Sequence, residues 1–274
     1  MNAHEFLTTV TIILAVMALI GLVELIVPLF TRPSSGRSTA NLGLTVLTLS
    51  FNWMLNGGAA IIAAAFALQG PGYITRLGVP IGVQLVAGVA VLDFSFGYLA
   101  HRALHVSPML WRVHRVHHCD PFVDVTTTYR NHPIEGLWRF LFIVIPVWLL
   151  GMPPEVVVIH RLLSALNGIL EHANLRVWQP LDRILSLFWV TPHMHKVHHS
   201  RDQVETDSNY GNVLSVYDRV LGTFTPTKQA LAVVYGLDDV DPVRSTSLPR
   251  LLAMPFHDVE VAAHEPTTIS AEHA

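Results

Sequence analysis

Nine of the chain's 16 histidines fall in two stretches, His101–His118 (HRALHVSPMLWRVHRVHH) and His193–His199 (HMHKVHH). Their spacing is regular. His101 and His105 are four apart, while His114, His117 and His118 form an H-x-x-H-H box that His195, His198 and His199 repeat. On an α-helix, positions i, i+3 and i+4 share a face, so each box is expected to turn its imidazoles one way. Neutral imidazole is the commonest side-chain metal ligand and suits iron, zinc, copper and nickel. A lone histidine on an apolar segment is ordinarily a satisfied core residue. Eight in repeated ligand spacing are different, because burying so many polar rings without partners costs roughly several kcal/mol. The residues between the boxes are varied and amphipathic, unlike a low-complexity histidine tract. The stretches therefore read as a metal centre.

The surrounding chain is that of a membrane protein. Of 274 residues, 51% are hydrophobic and only 14% charged, and the mean hydropathy is +0.44, too apolar for an ordinary soluble domain. A single cysteine, Cys119, excludes an internal disulfide and any cysteine-rich zinc or iron–sulfur site. The net charge of -3 gives no nucleic-acid signal. Phe6–Phe30 is long and apolar enough to cross a bilayer and is broken only by Glu24; it lacks the basic start and small-residue cleavage site of a signal peptide. Leu42–Leu68 is a second candidate span, with Asn52, Asn56, Gly57 and Gly58 at its centre and a turn at Gly70–Gly72. Val79–Ala100 is a third, running directly into the first histidines.

Asp93, Gly97, His101 and His105 recur every four residues, which puts a carboxylate on the histidine face. A carboxylate in a span is costly and usually functional, so Asp93 is expected to accept a hydrogen bond from a ligand imidazole; pairing with Arg102 or a neighbouring helix is the plainer alternative. Leu137–Leu150 and Val156–Leu170, joined by Gly151–Pro154, are each somewhat short for a full crossing; they would dip into the bilayer as a hairpin, or cross it if flanking residues extend them. The second carries a polar stripe, His160, Ser164, Asn167 and Glu171, expected to face the metal site. Leu175–Val190 reads as an interfacial amphipathic segment. Of 17 Lys and Arg, 14 lie from Arg102 onward, which places the histidines on the cytoplasmic side and the N-terminus outside. The expected fold is all-α: a polytopic membrane bundle with a cytoplasmic, histidine-rich di-metal cap. Residues 1–78 would hold two spans, 79–226 the catalytic part, and 227–274 a polar, partly disordered cytoplasmic tail.

The order H-x-x-x-H, H-x-x-H-H and a later H-x-x-H-H resembles the fatty acid hydroxylase superfamily, which includes sterol desaturases and sphingolipid hydroxylases. Asp93–His105 (DFSFGYLAHRALH), Leu110–His118 (LWRVHRVHH), Asn131–Glu135 (NHPIE), Glu171–Asn174 (EHAN), Thr191–Ser200 (TPHMHKVHHS) and Asn209–Thr223 (NYGNVLSVYDRVLGT) carry the likeness. It covers roughly Leu92 to Thr225. The resemblance implies a non-haem di-iron centre, with zinc able to substitute in a purified protein, that uses O2 to hydroxylate or desaturate a lipid. Its ligands would be His101, His105, His114, His117, His118, His172, His195, His198 and His199; His132, His160 and His193 are left unassigned. Family members often carry H-x-x-x-H near His172, but Gly168 stands at the earlier position here, so one ligand would be missing or replaced by Asn167 or water. Asp93 or Glu171 would help balance the charge. About nine imidazoles exceed the four ligands of one zinc and fit two metals.

The lipid would enter from the bilayer. Electrons would come from a separate ferredoxin, b-type cytochrome or flavoprotein reductase, since the chain carries no such module. A carotenoid hydroxylase or ketolase, a membrane zinc hydrolase and a non-enzymatic metal or haem carrier remain as alternatives. The zinc hydrolase is disfavoured by the lack of H-E-x-x-H, and the haem carrier by boxes that exceed an axial pair.

Overall fold

The long apolar runs are helical in the computed structural model, which describes residues 3–33, 36–67, 72–242 and 244–257, and no β-strand forms among these residues. Helix α1 (Ala3–Ile26) leaves Leu7, Leu19, Leu22 and Leu25 exposed, as a lipid-facing helix does. Its one charged residue near the far end, Glu24, is buried, and its Oε1 accepts the backbone N–H groups of Val125 and Asn174 at 2.8 Å each. The carboxylate thus ties α1 to two loops beneath the histidines. Helix α2 (Arg37–Ala67) begins with a buried arginine, which pairs with Asp120 at 3.1 Å and with Asp124. Beside it, Asn41 Nδ2 donates to Asp120 at 2.8 Å. The expected second span is seen as helix to Ala67; its side chains from Asn56 on, and Leu68 to Pro71 of the expected turn, lie outside the described residues.

After the short α3 (Tyr73–Arg76), helix α4 (Ile81–Leu92), a π-helical segment (Asp93–Leu99) and α5 (Ala100–Val106) form one continuous rod. It meets α6 (Pro108–His118) at Ser107, whose extended backbone and the following proline set the corner. Helices α7 (Pro133–Leu150) and α8 (Pro154–His172) form the hairpin around Gly151, which caps α7 in the left-handed region at φ 59°. Among the described residues, three segments are long and apolar enough to cross a membrane: Phe6–Ile26, Ile81–Val106 and Pro133–Leu150. The third is longer than expected because it starts at Pro133, capped by His132 Nδ1, rather than at Leu137. In α8 the polar stripe is indeed inward: His160, Ser164, Asn167 and Glu171 are buried, while Val158, Leu162 and Leu166 are exposed.

The remaining elements are short. They are α9 (Gln179–Leu185), with Trp178, Leu181 and Ile184 exposed, α10 (Pro192–His198), α11 (Gln203–Thr206), α12 (Val216–Val220) and α13 (Leu248–Ala253). The segment expected as a polar tail is instead folded as far as His257. Ala230, Val233 and Tyr235 pack on Val123 and Val197, and Leu251 packs on Leu44, Val116 and Cys119. Arg130 donates to the Ser245 carbonyl at 2.8 Å, and Arg115 pairs with Asp239 at 2.6 Å. Scattered apolar residues among polar ones find a floor here because the undersides of α6 and α10 are apolar. Residues 258–274 lie outside the described residues.

Candidate metal centre

The boxes do not each build a site; they interleave. His101, His105, His114, His118 and His198 form one group, and His117, His172, His195 and His199 a second, with the candidate ligand atoms of each within 4.8 Å of one another. Helix geometry explains the split. From position i, i+4 is turned about 40° one way and i+3 about 60° the other. On α6, His114 and His118 therefore serve the first group and His117 the second. On α10, His195 and the capping His199 serve the second group and His198 the first. The expectation that each box faces one way is corrected accordingly.

Outer partners fix the tautomers. Nδ1 of His101 lies 2.8 Å from the Tyr210 carbonyl, Nδ1 of His114 3.0 Å from Glu135 Oε2, Nδ1 of His172 2.7 Å from the Gly168 carbonyl, and Nδ1 of His198 2.8 Å from the Ser208 carbonyl. His105 Nδ1 lies 3.2 Å from Asp207 Oδ1. Carbonyls and carboxylates only accept, so each of these Nδ1 atoms carries the proton and Nε2 keeps its lone pair. The Nε2 atoms converge. His101 Nε2 and His118 Nε2 lie 3.1 and 3.2 Å from His114 Nε2. In the second group, His172 Nε2 lies 3.1, 3.0 and 3.3 Å from Nε2 of His117, His195 and His199. The Nε2 atoms of His105 and His198, buried, have no partner among the described residues.

Facing lone pairs repel unless a cation lies between them. Nitrogens about 2.1 Å from one ion would be about 3.0 Å apart at right angles and about 3.4 Å apart in a tetrahedron, and the observed separations match that range. Burial, reinforced by neighbouring imidazoles, holds His114, His117, His118, His195 and His199 well below the usual imidazole pKa. Burial also pulls His198 down to about 4 against the Ser208 bond. The rings are thus held neutral, the form that binds metal. The donor set fits two cations of imidazole preference, one per group.

Glu171 lies at the edge of the second group, its Oε1 4.0 Å from His195 Nε2. Asn212 and Asn167 each donate an amide N–H to it at 3.2 Å. Asn167 itself does not replace the ligand absent at Gly168: its Oδ1 accepts from Trp189 Nε1, and its Nδ2 also reaches backbone carbonyls of Val190 and Asn212. Asp93 makes no hydrogen bond to a histidine among the described residues. Its carboxylate accepts the backbone N–H groups of Val213 and Leu214 at 3.2 and 2.9 Å. The four-residue register failed because the π-helical turn from Asp93 to Leu99 has a wider repeat than an α-helix. His193 binds Gln179 and the Val177 N–H, His132 reaches the Leu252 carbonyl, and His160 packs edge-on against Phe96; all three stand outside both groups.

Sequence reasoning missed Glu135, Asp207 and the carbonyls of Ser208 and Tyr210. Glu135 stood within NHPIE, but only the fold shows that α7 starts beside α6. The 207–214 loop is placed by Asp93 together with a second carboxylate, Asp218, which accepts from Tyr210 N and Gly211 N at 2.8 Å each. Gly97 permits that placement, since a Cβ there would lie 2.9 Å from Asp93 Oδ1 and 3.0 Å from Asn212 Cβ.

Residues 85–223, just over half of the chain, match the fatty acid hydroxylase family. The chain belongs to that family. It is 38% identical over 146 residues to the ornithine lipid hydroxylase OlsE of Rhizobium tropici, covering 53% of this chain and 43% of that protein. It is also similar to the alkylglycerol monooxygenases of Danio rerio, at 34% over 151 residues (54% and 32%), and Homo sapiens, at 32% over 150 residues (54% and 32%). The match thus spans less than half the length of each of these relatives. No solved structure matches the chain.

Proposed function

We propose that this member of the fatty acid hydroxylase family is a multi-pass membrane oxygenase that hydroxylates a lipid, with its histidine groups on the cytoplasmic side. One observation carries the reading: two adjacent groups, of five and four buried neutral histidines, bring their ring nitrogens together at separations that suit a shared cation. Nine imidazoles between two six-coordinate irons leave open positions, which a closed structural site would not. Iron held there would supply activation of O2: one oxygen atom enters a C–H bond, and the other leaves as water with two electrons and two protons from a separate redox partner. The chain's own residues orient and exclude. Glu135, Asp207 and the loop carbonyls hold the rings, while the three long apolar helices keep the site at the bilayer, where a lipid can reach it.

The three named relatives are a lipid hydroxylase and two alkylglycerol monooxygenases, which favours hydroxylation over desaturation and a lipid over a carotenoid. Lipid extracts of cells making the chain, or its His198→Ala variant, test this by mass spectrometry. The parent should yield a lipid one oxygen atom heavier that the variant does not. Identical extracts would refute the reading, and a species lighter by two hydrogens would turn it to desaturation.

A further inference from the structure

A cavity of about 140 Å³ runs from the histidine groups along one face of α8. At one end are His117, His172, His195 and Glu171; at the other are Arg161, Arg139, Tyr129 and Phe96. The wall between is made of small groups, Ser164, Ala165 and Gly168, and a Cβ at Gly168 would meet only Thr128 Cγ2, at 3.7 Å. The volume is close to the roughly 150 Å³ that accepts a benzene ring, so a headgroup or a short chain segment fits while acyl chains remain in the bilayer.

The two arginines differ in their partners. Arg139 Nε donates to Glu135 Oε1 at 2.8 Å, so its charge is matched. Arg161 has no carboxylate partner and no hydrogen-bond acceptor among the described residues; its guanidinium lies 5.3 Å from the Phe96 ring centroid, on the same ring that Arg139 approaches at 5.5 Å. Glu171 is ten residues further along α8, about 15 Å away along the axis. Beside Arg161 lies Tyr129, whose buried hydroxyl also has no partner among the described residues. A guanidinium within an apolar helix, left without a counter-charge next to a second arginine, is costly unless something anionic completes it. A planar fork of N–H donors with a phenolic O–H beside it suits a carboxylate or a phosphate.

We infer that Arg161, with Tyr129, binds the anionic headgroup of the lipid, a carboxylate or a phosphate, and so sets which lipids reach the histidine groups. The inference rests on the lipid-hydroxylase reading but is tested by binding, independently of turnover. The full chain, purified in a neutral maltoside detergent, is titrated with three single-chain lipids of equal chain length: a lysophosphatidic acid, an N-acyl amino acid and a monoacylglycerol. Native mass spectrometry reads the bound fraction, and iron is measured on the same samples.

At least one anionic probe should bind about tenfold more tightly than the monoacylglycerol, as one charge-assisted contact supplies. Whether the phosphate or the carboxylate leads identifies the headgroup. Arg161→Gln should abolish the preference with iron content unchanged, and Arg161→Lys should keep most of it. Equal binding of all three probes by the parent, or a preference that survives in Arg161→Gln, would overturn the inference. Should Arg161→Gln fold poorly, Tyr129→Phe takes its place: the preference should weaken with iron unchanged, and an unaltered preference would overturn the inference. Should the lipid extracts show no oxidation product while the anionic probes still bind through Arg161, the hydroxylase reading alone would fail.

Discussion

His114 shows how the site is specified residue by residue. Its Nε2 lies among those of His101 and His118, while Glu135 Oε2 accepts a hydrogen bond from its Nδ1–H, and Arg139 holds the other oxygen of that carboxylate. Glu135→Gln puts a neutral amide in that place, able to donate as well as accept, and the tautomer is no longer fixed. Iron affinity and turnover should fall by roughly 10- to 100-fold, the usual effect of losing such a partner, with the protein still folded. Iron titration of the purified variant checks this, and parental affinity would reduce Glu135 to a partner of Arg139. His114→Ala and His198→Ala go further: both should abolish turnover and lower bound iron while membrane insertion persists. Full activity with unchanged iron in either would remove that residue from the ligand set. The histidines that gather in the two groups were legible because spacing is a local property. Their carbonyl and carboxylate partners were not, because they come from loops whose placement is tertiary.

At the scale of elements, the rod from α4 to α5 and the 207–214 loop depend on each other. Asp93 accepts two backbone N–H groups of that loop, Tyr217 donates its hydroxyl to the Ala90 carbonyl at 2.8 Å, and the loop in turn presents the Tyr210 carbonyl to His101. The sequence singled out Asp93 for the right reason, a carboxylate within an apolar span, but a helical register drawn across a π-turn aimed it at the wrong partner. Asp93→Asn should destabilise the protein by about 1–3 kcal/mol through its weakened backbone acceptor and reduce turnover by loosening His101. A thermal midpoint and turnover equal to the parent's would show that the loop stands without it. On α8, Gly168→Leu leaves the carbonyl that holds His172 but fills the cavity wall. Iron should remain while lipid turnover falls at least about tenfold; undiminished turnover would mean the substrate takes another route. The box spacing likewise made the histidines evident, yet not their division between two groups, since i+3 and i+4 diverge around the helix.

For the whole molecule, the apolar lengths pointed to membrane helices, and α1, the α4–α5 rod and α7 have the length and composition to span a bilayer. The folded 227–257 segment was not evident, because its few apolar residues follow no helical or strand period and find their partners far away in sequence, on α2, α6, α10 and the loop after α6. Orientation is testable with single cysteines in a Cys119→Ser background. Gln203→Cys should resist a membrane-impermeant thiol reagent on intact cells, whereas Leu77→Cys should react at once. Labelling of Gln203→Cys from outside would place the histidines away from cytoplasmic reductants.

The most direct measurement is metal content. Chain purified from iron-supplied cells without chelators, quantified by inductively coupled plasma mass spectrometry against amino-acid analysis, should carry about two metal ions, predominantly iron, without haem absorbance. His172→Ala should lower the occupancy of the second group while the first, which lacks His172, stays filled. One ion or fewer per parent chain, or equal occupancy in parent and variant, would contradict a centre built from two interleaved histidine groups.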